Sequence, residues 1–504
     1  MSSSDAEVAC CASQDDAPLL RRVVAPSRSQ WEWITSICCA LSYACTYFWR
    51  YPAFVLPPDV LDVPVRGGFT LRSCISFAFI GGFAAAKLPA AHFASSRLFF
   101  RHRRTLLLSL ITSSMLIEGA GLAAPHPAAK VGAVFASAFL SSFLWGCMLT
   151  YLEGRVTTER HVALATLCLI YAGNASRGAG SAFLSAGVSP AAMPLAVGAC
   201  AWTPSAALLL LLDRAPRPSA ADVAARTARR PMGGEARRAF LRRWACGLAP
   251  LCVAYALLTG VRSLRDLFAD QLFAASLGAP GGAAPGWILW TADLPGALVS
   301  AATLVAFGRI RDSHRAMQAV PVRIIAGRRA SLPHLAAASV QAMLSVMIAA
   351  TCLALVATGA WQLGLLGGGS WQLLLGTGVF LCYATMGTPF YERLLAATRT
   401  EGTIALLVFL SDFGGYLVSL ALLLAKSLSG VGGGAASAAD RAREAEAALS
   451  LFIRVVWGAG GAMLVLLVVA KVAFGVSLNW RADRGPWREG DEGSCHRGVE
   501  RHAA

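Results

Sequence analysis

The sequence predicts an all-α membrane protein with twelve transmembrane helices in two six-helix bundles. The prediction rests on long apolar stretches, a charged content of only 14%, and a basic segment that leaves six stretches on each side. An uncharged run of about 20 residues is what a helix needs to cross a bilayer. Barrel strands would alternate apolar and polar residues, which 462–470 (AMLVLLVVA) does not do. The predicted spans are 31–51, 69–92, 105–123, 130–152, 162–186, 191–212, 244–268, 286–308, 335–357, 371–391, 402–425 and 450–476.

The distribution of Lys and Arg predicts which loops face the cytoplasm. With the N-terminus placed inside, the inner segments carry 31 of these residues, the outer segments carry five, and eight lie within or at the ends of helices. This asymmetry matches the positive-inside rule with both termini cytoplasmic. The formal net charge of +16 therefore reports topology, and we expect no nucleic-acid partner.

The basic segment 213–243, with nine arginines, divides the chain. Six spans on each side of a cytoplasmic linker are typical of transporters built from two pseudo-equivalent halves. The predicted organisation is an N-terminal tail (1–30), an N-terminal bundle (31–212), the linker (213–243), a C-terminal bundle (244–480) and a C-terminal tail (481–504).

The N-terminal tail contains a pattern similar to an acidic dileucine sorting signal, Asp15-Asp16-Ala17-Pro18-Leu19-Leu20. Such a signal is read on the cytoplasmic side, although patterns this short also arise by chance. We expect a multi-pass protein of the plasma membrane or of an endolysosomal or vacuolar membrane.

Two arginines lie at matching depths in the first and seventh spans. Arg50 follows Trp31 by 19 residues, and Arg262 follows Trp244 by 18. At ~1.5 Å per residue they reach about the same height, in helices that a two-fold repeat makes equivalent. Guanidinium groups that face each other across a cavity suit a phosphate or carboxylate. We therefore predict an anion-binding site with further contacts from Arg265, Tyr47 and Asn174.

The same residues have a second interpretation. Arg262 can pair with Asp266 one turn further along the helix, and Arg265 can face the outer interface. The sequence does not decide between a ligand site and structural pairing.

Other ionisable residues inside the spans predict a charge network. Inserting such a residue at the bilayer midplane costs at least ~2.5–3.5 kcal/mol, so its presence by default indicates a substrate or ion pathway. Asp412 is the best candidate for a protonatable coupling group, and its alternative is a salt bridge to another helix. Arg177 must face the protein interior, with Glu118 as a candidate partner. The remaining predicted members are Asp266, Asp293 and Lys87.

The fourth and tenth spans end in similar charged sequences, TYLEGR (150–155) and FYER (390–393). They predict an internal repeat and a cytoplasmic gate of Glu153, Arg155, Glu392 and Arg393. Ordinary charged helix ends at the membrane surface are the alternative.

Catalytic patterns are missing from the sequence. The eight histidines fall in loops, tails or helix ends, and no HExxH, nucleophile elbow or phosphate-binding loop occurs. We therefore expect no enzyme, no cofactor and no metal site. The expected partners are the lipid bilayer and a small solute, with a proton or counter-anion, and we expect a monomer. A transporter-like receptor or scaffold that no longer transports is the alternative.

Several stretches carry a family resemblance: TYFWRYPAF (46–54), TYLEGRVTTE (150–159), RRPM (229–232), LTGVRSLRDLF (258–268) and residues 390–426. With twelve spans and a basic central linker, the chain resembles the major facilitator superfamily, and in particular an uncharacterised family within or near it. The resemblance implies a secondary transporter that works by alternating access.

Among characterised branches, the first span is similar to that of organophosphate:phosphate antiporters. That likeness implies phosphate binding by one arginine of the first helix and one of the seventh, here Arg50 and Arg262. Two features depart from the pattern. Tyr51 stands where that branch commonly has lysine, and the superfamily's Gly-x-x-x-Asp-Arg motif after the second span is replaced by HFASSR (92–97).

Overall fold

The computed structural model describes residues 27–65, 69–94, 96–152, 158–216, 234–319, 332–398, 404–428 and 437–482, and nearly all of them are helical. The α-helices are α1 (Arg28–Cys45), α2 (Tyr47–Arg50), α3 (Pro58–Leu61), α4 (Leu71–Ala94), α5 (Arg97–Ala123), α6 (Pro127–Leu149), α7 (Thr158–Ser185), α8 (Met193–Leu212), α9 (Gly234–Leu267), α10 (Ala269–Ser276), α11 (Gly286–Thr291), α12 (Leu294–Ala319), α13 (Leu332–Gln362), α14 (Gly368–Met386), α15 (Thr388–Thr398), α16 (Ile404–Leu428) and α17 (Ala438–Ala482).

The apolar helices make the chain a multi-pass membrane protein. Every predicted span coincides with one helix or with two consecutive helices. Within the described residues, eight helical segments are long and apolar enough to cross a membrane by length and composition. The count of twelve crossings stays a prediction.

Three of the predicted spans are broken rather than continuous. The first is interrupted at Thr46 and ends before Pro52, the eighth is interrupted beside Asp293, and the tenth is interrupted at Gly387. Proline has no backbone N–H and clashes with the preceding turn, which explains the breaks before Pro52 and near Pro389. Irregular backbone inside a membrane is tolerated where it is buried in protein or lines a cavity.

The N-terminal helices (α1–α8) and the C-terminal helices (α9–α17) each pack among themselves and also against each other. Within the first set α6 packs on α4 and α5, and within the second set α9 packs on α16 and α17. Between the sets, α7 packs on α11 and α12, and α4 packs on α16. These cross-contacts bring the polar residues of the two sets to one central region.

Close approach of α4 to α6 requires glycine at position 82. A Cβ atom there would lie 2.4 Å from the Phe135 carbonyl oxygen and 2.9 Å from Ala138 Cβ. We expect Gly82→Ala to cost about 1–3 kcal/mol by overpacking. Gly132→Ala on α6 is the control, because a Cβ there meets no atom within 4 Å and alanine favours a helix. Thermal unfolding in detergent measures both variants, and equal melting temperatures would contradict this packing.

Candidate functional site

A cavity of about 170 Å³ lies between the two sets of helices. Helices α1, α2, α4, α6 and α7 line it from one side, and α9, α14, α15 and α16 line it from the other. Seven of the nine tyrosines of the chain are among the lining residues. Those tyrosines are Tyr43, Tyr47, Tyr51, Tyr255, Tyr383, Tyr391 and Tyr416.

Arg50 reaches the cavity from α2 and is buried. Its Nε donates to the Thr46 carbonyl oxygen at 2.9 Å, and its Nη2 donates to the Thr46 hydroxyl at 2.7 Å. The guanidinium carbon lies 4.3 Å from the ring centre of Tyr47. No carboxylate of the described residues lies within ion-pair distance. Arg50 is thus oriented by neutral groups at the cavity wall, and no ion pair with a described residue offsets its charge.

Arg262 lines the same cavity from α9. Its guanidinium carbon lies 4.2 Å from the ring centre of Tyr383, and its Nε is buried with no hydrogen-bond partner. The pairing with Asp266 that the sequence left open is not formed, since these side chains make no ion pair. Arg262 therefore has aromatic contact but no ion-pair partner among the described residues, and Asp266 acts on its charge only at longer range.

An ion pair joins the two sets of helices at the cavity wall. Lys87 Nζ on α4 lies 2.7 Å from Asp412 Oδ2 on α16, and their side chains are 19% and 17% exposed. The Tyr255 hydroxyl donates to Asp412 Oδ1 at 2.8 Å. Lys87 also lies 5.3 Å from the ring centre of Tyr416. Asp412 thus forms the salt bridge to another helix that the sequence offered as the alternative, and Lys87 is its partner.

Arg265 lies away from the cavity. Its Nη1 lies 2.6 Å from Asp293 Oδ1, and both side chains are 1% exposed. Its Nη2 donates to the Gln372 carbonyl oxygen at 3.2 Å. Arg265 and Asp293 form a buried pair within the C-terminal helices, so neither the outer-interface interpretation nor a direct substrate contact describes Arg265.

The expected pairing of Arg177 with Glu118 is not formed. Arg177 donates through Nη1 to the Asn174 side-chain oxygen and through Nη2 to the Asp266 carbonyl oxygen. Glu118 is 0% exposed and accepts a hydrogen bond from the Ser137 hydroxyl at 2.5 Å. Its Oε1 has no partner among the described atoms. Neither Asn174 nor Arg177 lines the cavity, so the structure does not bring Asn174 to Arg50 and Arg262.

Helix α7 contacts α9 and α11 beside Asp266, which lines the cavity. The Arg177 hydrogen bond reaches the last turn of α9. Next to it, Gly178 packs under Trp290 so closely that a Cβ atom would lie 2.7 Å from the indole ring. The cavity lining also includes Gly387 and Pro389, which belong to the predicted cytoplasmic end of the tenth span.

The predicted gate lies largely outside the described residues. This applies to Glu153 and Arg155, and to the side chain of Glu392. Arg393 is buried: its Nη1 donates to the Ser339 hydroxyl, and its Nη2 donates to the Phe307 carbonyl oxygen at 2.5 Å. These contacts fix Arg393 to α12 and α13, and the gate remains a prediction.

Sequence reasoning missed most of the tyrosines around the cavity. Tyr255 and Tyr383 stack at 5.7 Å, and Tyr47 and Tyr51 stack at 5.1 Å. A signal was present: Tyr43, Tyr47 and Tyr51 recur every four residues, which places them on one helix face. Tyrosine in membrane helices is otherwise enriched at the interfaces. In the described part of the chain, no group of His, Cys, Asp or Glu side chains is arranged to hold a metal ion.

Removal of a paired arginine and of an unpaired one is expected to have different costs. Arg265→Gln leaves the buried Asp293 carboxylate without its partner, which costs about 3–5 kcal/mol. Arg50→Gln leaves no carboxylate unpaired and is expected to change the melting temperature little. Thermal unfolding in detergent without added ligand measures both. Adding Asp293→Asn to Arg265→Gln should restore most of the loss, and a larger loss for Arg50→Gln would contradict the assignment.

Comparison with solved structures identifies the fold. The nucleoside transporter NupG matches over 88% of this chain and 99% of its own, with 12% identity and a TM-score of 0.52. The POT family transporter PepTSo matches over 88% of this chain and 98% of its own, also with 12% identity and a TM-score of 0.52. At these identities the likeness is one of fold alone.

Comparison of the sequence with family models identifies the family. No curated protein matches the chain. One family model matches residues 67–336 and 335–434, which together make up most of the chain. The chain therefore belongs to the Family of unknown function (DUF5690).

Proposed function

We propose that this protein is a secondary active transporter for a small organic anion, phosphorylated in the simplest case. The observation that supports the proposal is the pair Arg50 and Arg262. One comes from the N-terminal helices and one from the C-terminal helices, both line one cavity, and neither has an acidic partner among the described residues. Ionisable groups inside a membrane protein are retained for pathways and binding sites.

Guanidinium groups explain the preference for an anion. Their planar arrays of N–H donors match phosphate and carboxylate oxygens. The Nη1 group of Arg50 donates to no described residue, and neither does any nitrogen of Arg262. The guanidinium carbons lie over the rings of Tyr47 and Tyr383, and these contacts restrict both groups before the ligand arrives.

The volume of the cavity favours a small ligand, and the family resemblance favours a phosphorylated one. A cavity of about 170 Å³ is small beside the ~300–1,000 Å³ of drug-sized pockets. Binding of phosphate by Arg50 and Arg262 also agrees with the resemblance to organophosphate:phosphate antiporters. Tyr51 stands in place of the lysine of that branch, so the headgroup or the counter-substrate can differ from those of the antiporters. A relation to the organophosphate:phosphate antiporter branch is itself part of this proposal.

Alternating access would move two bundles, residues 31–212 and 244–480, about the cavity. In the predicted orientation the contacts of Arg177 and Trp290 lie toward the outer side of the membrane, and Gly387 lies toward the inner side. The Lys87–Asp412 pair joins the bundles and would have to loosen as they rock. We assign Asp412 as the protonatable coupling group, and Glu118 is the second candidate because its Oε1 lacks a partner.

Ligand binding by the purified protein tests the proposal directly. A thermal-shift screen of phosphomonoesters, dicarboxylates, sugars and amino acids should give the largest stabilisation with phosphomonoesters, because a ligand that binds the folded state stabilises it. Arg50→Gln and Arg262→Gln should each weaken binding about 10- to 100-fold, the range for a lost charged hydrogen bond.

The matched control is Arg454→Gln, which removes an exposed arginine of α17 and should bind as the wild type does. Uptake into proteoliposomes should be lost in the Arg50→Ala, Arg262→Ala double variant while the protein stays folded. Normal uptake by that variant would refute the assignment, and stabilisation by sugars alone would refute the substrate class.

A charge exchange tests the role of the Lys87–Asp412 pair. Lys87→Ala and Asp412→Ala each leave a partly buried charge without its partner, at a cost of about 1–3 kcal/mol. The exchange Lys87→Asp, Asp412→Lys should recover much of the thermal stability but not accumulation driven by a pH gradient, because the protonatable group has moved to another helix. If the exchange restored both thermal stability and accumulation, the pair would only join the two bundles and would not couple transport to protons.

A further inference from the structure

Asp266 supplies a third unpaired charge to the cavity. It lies one turn beyond Arg262 on α9, and both line the cavity. No described residue donates a hydrogen bond to its carboxylate, and no described cation lies within ion-pair distance of it. Arg177 reaches the backbone carbonyl of Asp266, so this contact does not satisfy the side chain.

The charges around the cavity form an asymmetric set. Lys87 and Asp412 neutralise each other. The guanidinium groups of Arg50 and Arg262 and the carboxylate of Asp266 remain. None of the three has an ion-pair partner among the described residues, and Arg262 and Asp266 interact only at longer range. A ligand that offers only acceptor oxygens would satisfy Arg50 and Arg262 but would displace water from Asp266 without replacing its hydrogen bonds. A carboxylate that loses its water to a bound ligand and gains no new hydrogen bond is destabilised.

We infer that the substrate bears, besides its anionic group, a hydrogen-bond donor, an ammonium in the best case or a hydroxyl, that Asp266 accepts. This inference rests on the proposed anion site and adds the chemical group that the ligand carries besides its anionic group. The substrate class is then a small phosphorylated amine or alcohol with its two groups at opposite ends. Specificity follows because a site with a buried polar group rejects analogues that leave that group unpaired.

Three phosphomonoesters of one chain length test the inference: 3-aminopropyl phosphate, 3-hydroxypropyl phosphate and propyl phosphate. Calorimetry or thermal shift on the purified full-length protein should rank them in that order. The amine is expected to bind roughly 10- to 100-fold more tightly than propyl phosphate, since a charged hydrogen bond has this effect. In Asp266→Asn and Asp266→Ala the difference should fall to less than about threefold, while propyl phosphate binds at least as well as before.

The two substitutions keep the backbone carbonyl that Arg177 uses, so the helix contact survives in both. Asp59→Asn is the matched control, because Asp59 is exposed and lies outside the cavity, and it should keep the ranking. Equal binding of all three esters would overturn the inference and leave the anion site intact. A preference that persists in both Asp266 variants would also overturn it, whereas failure of every ester to bind folded protein would overturn the anion site itself.

Discussion

The structure depends on one constraint: a guanidinium group stays charged at every physiological pH, and a charge cannot be left in hydrocarbon. Each arginine within the spans must therefore find a carboxylate, a set of neutral acceptors or a hydrated cavity. Arg265 has the first solution, in a fully buried pair with Asp293. Arg177 has the second, since it bonds to an amide oxygen and a backbone carbonyl. Arg50 also bonds to neutral groups, the carbonyl and hydroxyl oxygens of Thr46. Unlike Arg177 and Arg265, however, Arg50 and Arg262 line the cavity, and this is why we propose them as ligand groups.

Aromatic rings explain how two arginines without an ion-pair partner are tolerated in one cavity. A cation over a ring face gains about 0.5–2 kcal/mol, most when both are desolvated, and does so without cancelling the charge that a ligand needs. Arg50 lies over Tyr47 and Arg262 over Tyr383. Tyr383 in turn stacks on Tyr255, whose hydroxyl bonds to Asp412. Arg262 and the interhelical ion pair are thus connected through two stacked tyrosine rings.

The sequence predicts the helices well because lipid imposes the same length and polarity on every span. It also gives the depth of each charge, which is how Arg50, Arg262 and Asp412 were found. It does not give partners, since these depend on helix rotation and on packing between distant segments. Arg262 and Arg265 lie only about 60° apart around a helix of 3.6 residues per turn. Spacing alone therefore does not reveal that one faces the cavity and the other faces Asp293. Glu118 fails as the partner of Arg177 for the same reason, because rotation turns it toward Ser137.

The placement of the ion pairs bears on how such a fold moves. Arg265–Asp293 and Arg72–Asp62 each lie within one set of helices and are almost fully buried. Lys87–Asp412 lies between the sets, and its side chains are 19% and 17% exposed. Separating a fully buried pair leaves two desolvated charges, at a cost of several kcal/mol. A pair that is already partly hydrated can exchange its partner for water at lower cost. The rigid pairs thus hold each set together, and the hydrated pair lies at the interface that alternating access would have to open.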